Sequence, residues 1–238
     1  MVNFNNRVIP VSAALPNGKG TMGGTAFFVQ VAGQVYLTTA AHVATGTESQ
    51  SDTWPTWADA LNLHDEERNL LATVPLFATG ADGLRTPIFK YGRTTTEPGI
   101  LLDLILIPLT SEHLKVTDAE VFQLPALVTT CGGEEVSIAG CREWPKINTQ
   151  NYTLRGASSG DNLMLYIDPP SQRGESGGPL LTKSGGLLGV NYGADNPQVP
   201  GTGLVISASY ILHLASAVDG YIQGFQYGNQ AAQGLGVN

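Results

Sequence analysis

The sequence predicts an all-β fold on three observations. Short runs of β-forming residues recur along the chain, Gly and Pro punctuate them, and a single helical stretch stands near the end. Gly occurs 29 times and Pro 14 times, a composition that favours many turns. At 238 residues and 42% hydrophobic content, the chain is long enough to bury a sizeable core.

Eight runs carry this prediction. Gly24-Thr25-Ala26-Phe27-Phe28-Val29-Gln30-Val31 and Val35 to Thr39 are dense in the β-branched and aromatic residues that fit a pleated surface. Leu70 to Val74 follows, and then Leu101 to Ile107, apolar throughout except for one acid. The second half adds Glu135 to Ala139, Leu163 to Ile167, Leu187 to Asn191 and Gly203 to Ser207, separated by turn signals. The helix is expected over Ser209 to Val218. Its buried stripe would be Ile211, Leu214, Ala215 and Val218, with Ser207 or Ser209 as its cap and Asp219-Gly220 as its end. Residues Gly220 to Asn238 hold no charged side chain and are rich in Gly and Gln, a composition that fits a tail, a linker or a surface strap.

The segment Gln172-Arg173-Gly174-Glu175-Ser176-Gly177-Gly178-Pro179-Leu180 sets a serine among glycines, a common way of presenting a nucleophile. Two designs compete for it. The G-x-S-x-G elbow of α/β-hydrolases needs a helix that starts at the serine. Here two glycines and Pro179 follow, then Leu180-Leu181-Thr182, a β-like run ending at Lys183-Ser184-Gly185-Gly186. The elbow design also places its acid and histidine after the serine, which leaves only Asp195 or Asp219 with His213. Too little chain remains there for the rest of such a sheet.

Upstream partners fit better. Val35-Tyr36-Leu37-Thr38-Thr39-Ala40-Ala41-His42-Val43 reads as a buried strand followed by small residues and a histidine. Leu101-Leu102-Asp103-Leu104-Ile105-Leu106-Ile107-Pro108-Leu109 buries one carboxylate in an apolar run. Such a charge costs on the order of several kcal/mol unless it is paired, and an imidazole N–H is a suitable partner. Taken singly, each residue has a plainer reading: a turn serine, a packed histidine, an acid bonded to backbone amides. Together and in these contexts they favour catalysis.

With Thr39-Ala40-Ala41-His42, Asp103-Leu104-Ile105-Leu106-Ile107 and Gly174-Glu175-Ser176-Gly177-Gly178-Pro179-Leu180 in this order, the chain resembles the trypsin/chymotrypsin-like serine peptidases. Gly133-Glu134-Glu135-Val136-Ser137-Ile138-Ala139-Gly140, and Gly189-Val190-Asn191-Tyr192 followed by Gly203-Leu204-Val205-Ile206, are most similar to the HtrA-like branch. The resemblance covers residues 20 to 218. It implies two six-stranded antiparallel β-barrels of chymotrypsin type with a C-terminal α-helix. An N-terminal barrel over 1–115 would carry His42 and Asp103, and a second barrel over 116–219 would carry Ser176 and the helix, with the tail at 220–238. The changeover is expected near Thr110 to Thr117.

The resemblance also implies a serine endopeptidase acting on polypeptide substrates. Ser176 would be the nucleophile, His42 the general base and Asp103 the residue that orients the histidine. The backbone N–H groups of Gly174 and Ser176 would form the oxyanion hole, glycine being required at 174 so that its amide can turn inward. Pro170 and Ser171 would form the base of the primary pocket, with Asn191, Tyr192, Gly193, Thr202 and Gly203 as walls and Arg173 at the rim. No carboxylate stands at that base, which argues against a preference for Arg or Lys.

Several features depart from the family. Glu175 stands where aspartate or asparagine is usual. Arg7-Val8-Ile9-Pro10 is only a faint echo of a processing site, and no activation by a new N-terminal amine is expected. The stretch from His42 to Asp103 is long for the HtrA-like branch, and no PDZ domain follows. The alternatives left open are an esterase using the same triad, a catalytically silent protease-fold binding module, and a processing or effector protease of a larger viral or bacterial system. A fused or associated regulatory partner also stays open.

The net charge of −8 argues against nucleic-acid binding, and no run of 18 apolar residues offers a membrane span. The start Met1-Val2-Asn3-Phe4 is not that of a signal peptide. If Glu134 to Gly140 is one strand, Cys131 and Cys141 lie more than about 20 Å apart, beyond the roughly 7 Å a disulfide spans. Two free thiols lean towards a reducing, cytoplasmic setting, while the 13% charged content leans the other way. No cofactor and no metal are expected, since His64-Asp65-Glu66-Glu67 reads as a solvated loop. His113 and His213 read as surface or packing residues. Trp54 and Trp57 flank Pro55, to pack on a barrel or to form a binding lip. Asn151-Tyr152-Thr153 is a glycosylation sequon that matters only in a eukaryotic lumen.

Overall fold

A computed structural model describes residues 4–16, 20–46, 54–93, 101–115, 117, 119–124, 132–157, 164–195 and 200–217. The first half supplies β1 (Ile9–Ala14), β2 (Thr21–Val31), β3 (Gln34–Thr39), β4 (Ala60–His64), β5 (Leu70–Pro75), β6 (Phe77–Thr79), β7 (Arg85–Pro87), β8 (Lys90–Arg93) and β9 (Leu101–Pro108). After β10 (Val121–Leu124) come β11 (Glu135–Glu143), β12 (Lys146–Ala157), β13 (Met164–Asp168), β14 (Pro179–Thr182), β15 (Leu187–Asp195) and β16 (Gly203–Ser207). Among the described residues three α-helices punctuate them: α1 (His42–Thr45), α2 (Ser111–Lys115) and α3 (Ala208–Ser216).

The fold is all-β with a C-terminal helix: two large sheets and the small two-stranded β6-β7. The second sheet closes into a barrel in the order β11-β12-β13-β16-β15-β14. The first is a curled sheet, β5-β4-β1-β2-β3-β9-β8, with β10 attached to β2. It therefore differs in detail from a closed antiparallel barrel of six strands. The reason lies in β2, which is 11 residues long. Its first part, Thr21 to Ala26, pairs with β1, and the same edge further on, Phe28 to Val31, is left for β10 to pair in parallel. β10 thus belongs to the first sheet.

Alternation along the central strands builds two cores at once. Phe28, Ile105 and Ile107 point into the first core with Leu37, Trp57 and Leu61. Their neighbours Phe27, Val29, Leu104 and Leu106 point the other way, onto Leu181, Val190 and Ile206 of the second sheet and Ile211 and Leu214 of α3. A third cluster, with Val136, Ile138, Leu154, Ile167 and Val205, fills the closed barrel. Burial on both faces explains why Leu101 to Ile107 reads as a continuous apolar run.

All eight expected runs fall on strands, within the described residues; Leu163 lies outside them. The helix buries Ala208, Ile211, Leu214 and Ala215, and Val218 to Gly220, with the rest of the tail, lie outside the described residues. Ser207 occupies its N-cap without a side-chain cap bond, because the Ser207 and Ser209 hydroxyls bond each other at 2.7 Å. At the other end Lys90 Nζ donates to the carbonyls of Ala215 and Ala217. Trp57 is buried, and Trp54 stacks edge-on with Trp57, Phe89 and Tyr91, so both pack on the first sheet. The acidic loop after β4 is a turn in which Asp65 accepts the N–H groups of Glu67 and Asn69. Among the described residues no helix is long and apolar enough to cross a membrane.

Candidate active site

His42 opens the short helix α1 directly after β3, and Gly46 ends that helix by donating its N–H to the His42 carbonyl at 2.7 Å. Asp103, on β9, is buried, and this one histidine engages both oxygens of its carboxylate. Oδ2 lies 2.5 Å from His42 Nδ1, and Oδ1 accepts the His42 main-chain N–H at 2.6 Å. β3 and β9 pair from Tyr36 through Thr39, which fixes the strand carrying Asp103 beside the strand that leads into His42. The imidazole therefore has Nδ1 committed to the acid. His42 is largely covered, its side chain 13% exposed.

Ser176 sits on the loop between β13 and β14 and is half-buried. The loop is docked onto the first sheet. Thr25 N–H donates to the Ser176 carbonyl at 3.0 Å, and Thr25 Oγ1 donates to the Gly174 carbonyl at 2.8 Å. Next to the serine, a methyl on Gly177 would stand 2.2 Å from the Thr25 carbonyl and 2.9 Å from Ala40 N, so the loop lies against the chain two residues before His42. The Ser176 loop is thereby tied to β2 and to the chain that leads into His42.

The loop's peptide planes are fixed from behind. The Glu175 carbonyl accepts from Asn191 Nδ2 and from Gly178 N, each at 2.9 Å. A trans peptide points its N–H opposite to its C=O, so the Ser176 N–H faces away from both donors. Gly174 holds φ +89°, a left-handed conformation that suits glycine. Its carbonyl accepts from Thr25 Oγ1 and from Cys141 N. Neither the Gly174 nor the Ser176 N–H meets an acceptor among the described residues.

Glu175, the residue that departs from the family pattern, is fully buried. Oε1 accepts from Arg142 Nε at 2.9 Å, and Oε2 accepts from the Tyr152 hydroxyl at 2.5 Å and from Gln172 N at 2.7 Å. Arg142 in turn donates to the Tyr152 oxygen at 2.7 Å. Burial, followed by the bond to Glu175, raises the Tyr152 phenol above its ordinary value, so it stays a donor. Burial works against the Arg142 cation, but its bonds to Glu175 and Tyr152 outweigh that and raise it. Gly140 packs on this residue, since a methyl there would stand 2.9 Å from Glu175 Cα and 3.2 Å from its Cβ and Cγ.

The residues expected to form the primary pocket are distributed as follows. Gly203 packs on Pro170 and Ser171, where a methyl would meet Ser171 N at 3.0 Å and Pro170 Cα at 3.1 Å. Gly193 faces Ser176, a methyl there lying 2.8 Å from its Oγ. Tyr192 is half-buried, Thr202 is buried and Arg173 is exposed. Asn191 is fully buried with its amide spent on the Glu175 carbonyl, which places it beneath the loop rather than on a wall. Beside Gly174 and Arg173 opens a cavity of about 290 Å³ lined also by Met22, Arg142 and Trp144. Cys141, under the loop, is buried and unbridged, and burial pushes its thiol up to about 12. Cys131 lies outside the described residues.

Sequence reasoning did not find Thr25, Gly140, Arg142 or Tyr152. Only the unusual Glu175 signalled that such partners were needed.

No protein-family model matches the chain, and no curated protein matches it by sequence. Solved structures do. The active form of the Rv3671c protease of M. tuberculosis superposes with a TM-score of 0.57 at 18% identity, over 91% of this chain and 82% of that one. A serine endoprotease from Yersinia pestis gives 0.57 at 16%, over 90% of this chain but only 66% of its own. The MamO protease domain from Magnetospirillum magneticum gives 0.51 at 17%, over 88% and 96%. The structural neighbours are HtrA-type and trypsin-like serine proteases, and this chain shares their fold.

Proposed function

We propose that this chain is a serine endopeptidase that cleaves peptide bonds through an acyl-enzyme. The observation that carries the reading is the double engagement of His42 by the buried Asp103, at 2.5 and 2.6 Å, with a docked serine loop whose Gly174 and Ser176 N–H groups meet no acceptor among the described residues. Ser176 Oγ attacks the substrate carbonyl carbon while its proton passes to His42 Nε2. The resulting oxyanion lies on the N–H groups of Gly174 and Ser176. His42 then protonates the leaving nitrogen, the C–N bond breaks, and the acyl group stays on Ser176. Water attacks that ester, gives its proton to His42, and releases the acid as Ser176 regains its proton. Asp103 holds the Nδ1 proton and stabilises the imidazolium that forms between the steps.

The primary pocket, bounded by Pro170, Ser171, Tyr192, Gly193, Thr202 and Gly203, accepts a small, apolar or uncharged polar side chain. Ser171 Oγ, buried without a hydrogen-bond partner among the described residues, supports a polar contact there. The exposed Arg173 at the rim favours acidic groups nearby. A peptide-library cleavage profile dominated by Arg or Lys at the cut would overturn this specificity.

A fluorophosphonate probe tests the catalytic reading. Covalent labelling mapped to Ser176, and abolished in His42→Ala, is the expected result. A folded wild-type chain that is not labelled would overturn it.

A further inference from the structure

We infer that Arg142 and Tyr152 are positioning residues that, through Glu175, lock the oxyanion loop in its working shape without any newly formed N-terminal amine. The catalytic consequence rests on the serine-peptidase reading; the lock itself does not. Glu175 reaches back to Gln172 twice, its carboxylate accepting the Gln172 N–H at 2.7 Å and its own N–H donating to the Gln172 carbonyl at 3.1 Å. These two bonds close the turn that carries Gly174. The carboxylate is anchored in turn by Arg142 and Tyr152 from two paired strands of the closed barrel, β11 and β12.

The carboxylate has about four lone-pair positions, and three donors already hold it. Arg142 already supplies the cation that a processed N-terminus would bring. Arg7, Val8 and Ile9 are also committed elsewhere: Arg7 donates to Glu120 and to the Gly185 carbonyl, Val8 is buried, and Ile9 opens β1 opposite Ala26. Gly140 leaves room for Glu175 to pack against β11, since a methyl there would meet its Cα, Cβ and Cγ.

Amide hydrogen exchange tests the lock independently of chemistry at Ser176. In Arg142→Gln the hydrogen-bonded amides of Gln172, Glu175, Gly177 and Gly178 should exchange roughly 10- to 150-fold faster, the span of a lost charge-assisted bond, while the β3–β9 amides stay as in wild type. Tyr152→Phe keeps the buried ring, removes one donor and should loosen the same amides by a smaller factor. It decides the question if Arg142→Gln does not fold. Arg142→Lys, which keeps the charge, should fall between Arg142→Gln and wild type. In the active chain kcat and the rate of probe labelling should fall with loop exchange while KM changes little. Unchanged loop exchange, or faster exchange spread evenly over both sheets, would overturn the lock. Absence of labelling in wild type would overturn the peptidase reading instead and leave the exchange result standing.

Discussion

Replacing Gly174 with alanine tests the loop most sharply. At φ +89° the left-handed backbone alone costs a residue with a side chain about 1–2 kcal/mol. The methyl would also stand 2.2 Å from the Cys141 carbonyl oxygen, 2.9 Å from its carbon and 3.1 Å from Arg142 Cα, all backbone atoms. Cys141 belongs to β11, and its N–H is tied to both Thr25 and Gly174, so the loop has to yield before the strand does. A turned Gly174 peptide takes its N–H away from the oxyanion. Loss of one such donor costs about 10²–10³ in kcat, or about 2.7–4 kcal/mol. Gly20→Ala is the matched control, since Gly20 has φ +90° with nothing within 4 Å of the added methyl. Steady-state kinetics on a peptide substrate and thermal unfolding, run on both variants, separate strain from function. Gly174→Ala should lose the full catalytic factor with KM little changed. Gly20→Ala should lose only stability, at about 2–4 °C per kcal/mol. Equal kcat values in the two variants would refute the role given to the Gly174 amide.

Asp103→Asn should lower kcat by about 10⁴ at neutral pH, the scale known for this change in the triad design, while the fold is retained; kinetics together with a circular dichroism spectrum would check it. Thr25→Val removes the hydroxyl that donates to Gly174 and accepts from Cys141, so stability should fall by about 1–3 kcal/mol in denaturant titration and Thr25→Ser should recover most of it. Lys90→Met strips two carbonyls at the end of α3 of their cation, lowering stability by about 1–2 kcal/mol while leaving kcat within about twofold of wild type. The Cys141 thiol, raised from 9.0 to about 12 by burial, favours the native state while protonated. That contribution is whole below pH 9 and is lost as pH climbs towards 12, because the unfolded thiol ionises first. Chemical denaturation across this range should show a decline that Cys141→Ala lessens.

Some of this molecule is legible in local sequence and some is not, and burial explains the difference. β9 stands out because its two faces enter different cores, leaving Asp103 as a lone polar residue in an apolar run. β12 escapes a sequence reading because only Tyr152 and Leu154 are buried along its 12 residues, so Lys146 to Ala157 reads as polar coil. β10 escapes it because the strand is four residues long and depends on a free stretch of the β2 edge. His42, Asp103 and Ser176 each carry a recognisable local context. The support for Glu175 does not, since Arg142, Tyr152 and Glu175 are separated by 10, 23 and 33 residues and meet only when the barrel closes.

Thr25 shows why the site needs both sheets. It lies on β2, whose neighbours Phe27 and Val29 face the second sheet while Phe28 faces the first core. Its N–H holds the Ser176 carbonyl, its hydroxyl bridges Gly174 and Cys141, and its carbonyl accepts Thr39 Oγ1 at 2.7 Å, three residues before His42. One fully buried residue thus ties the Ser176 loop to the strand that leads into His42. Glu175 fixes the same loop from the opposite side, through groups of the closed barrel alone. The two anchors act on different coordinates of the loop. Thr25 sets where it lies relative to His42, and Glu175 sets the shape of its turn. A change at Thr25 should therefore weaken the coupling between serine and histidine, whereas a change at Arg142 or Tyr152 should chiefly disturb the oxyanion donors.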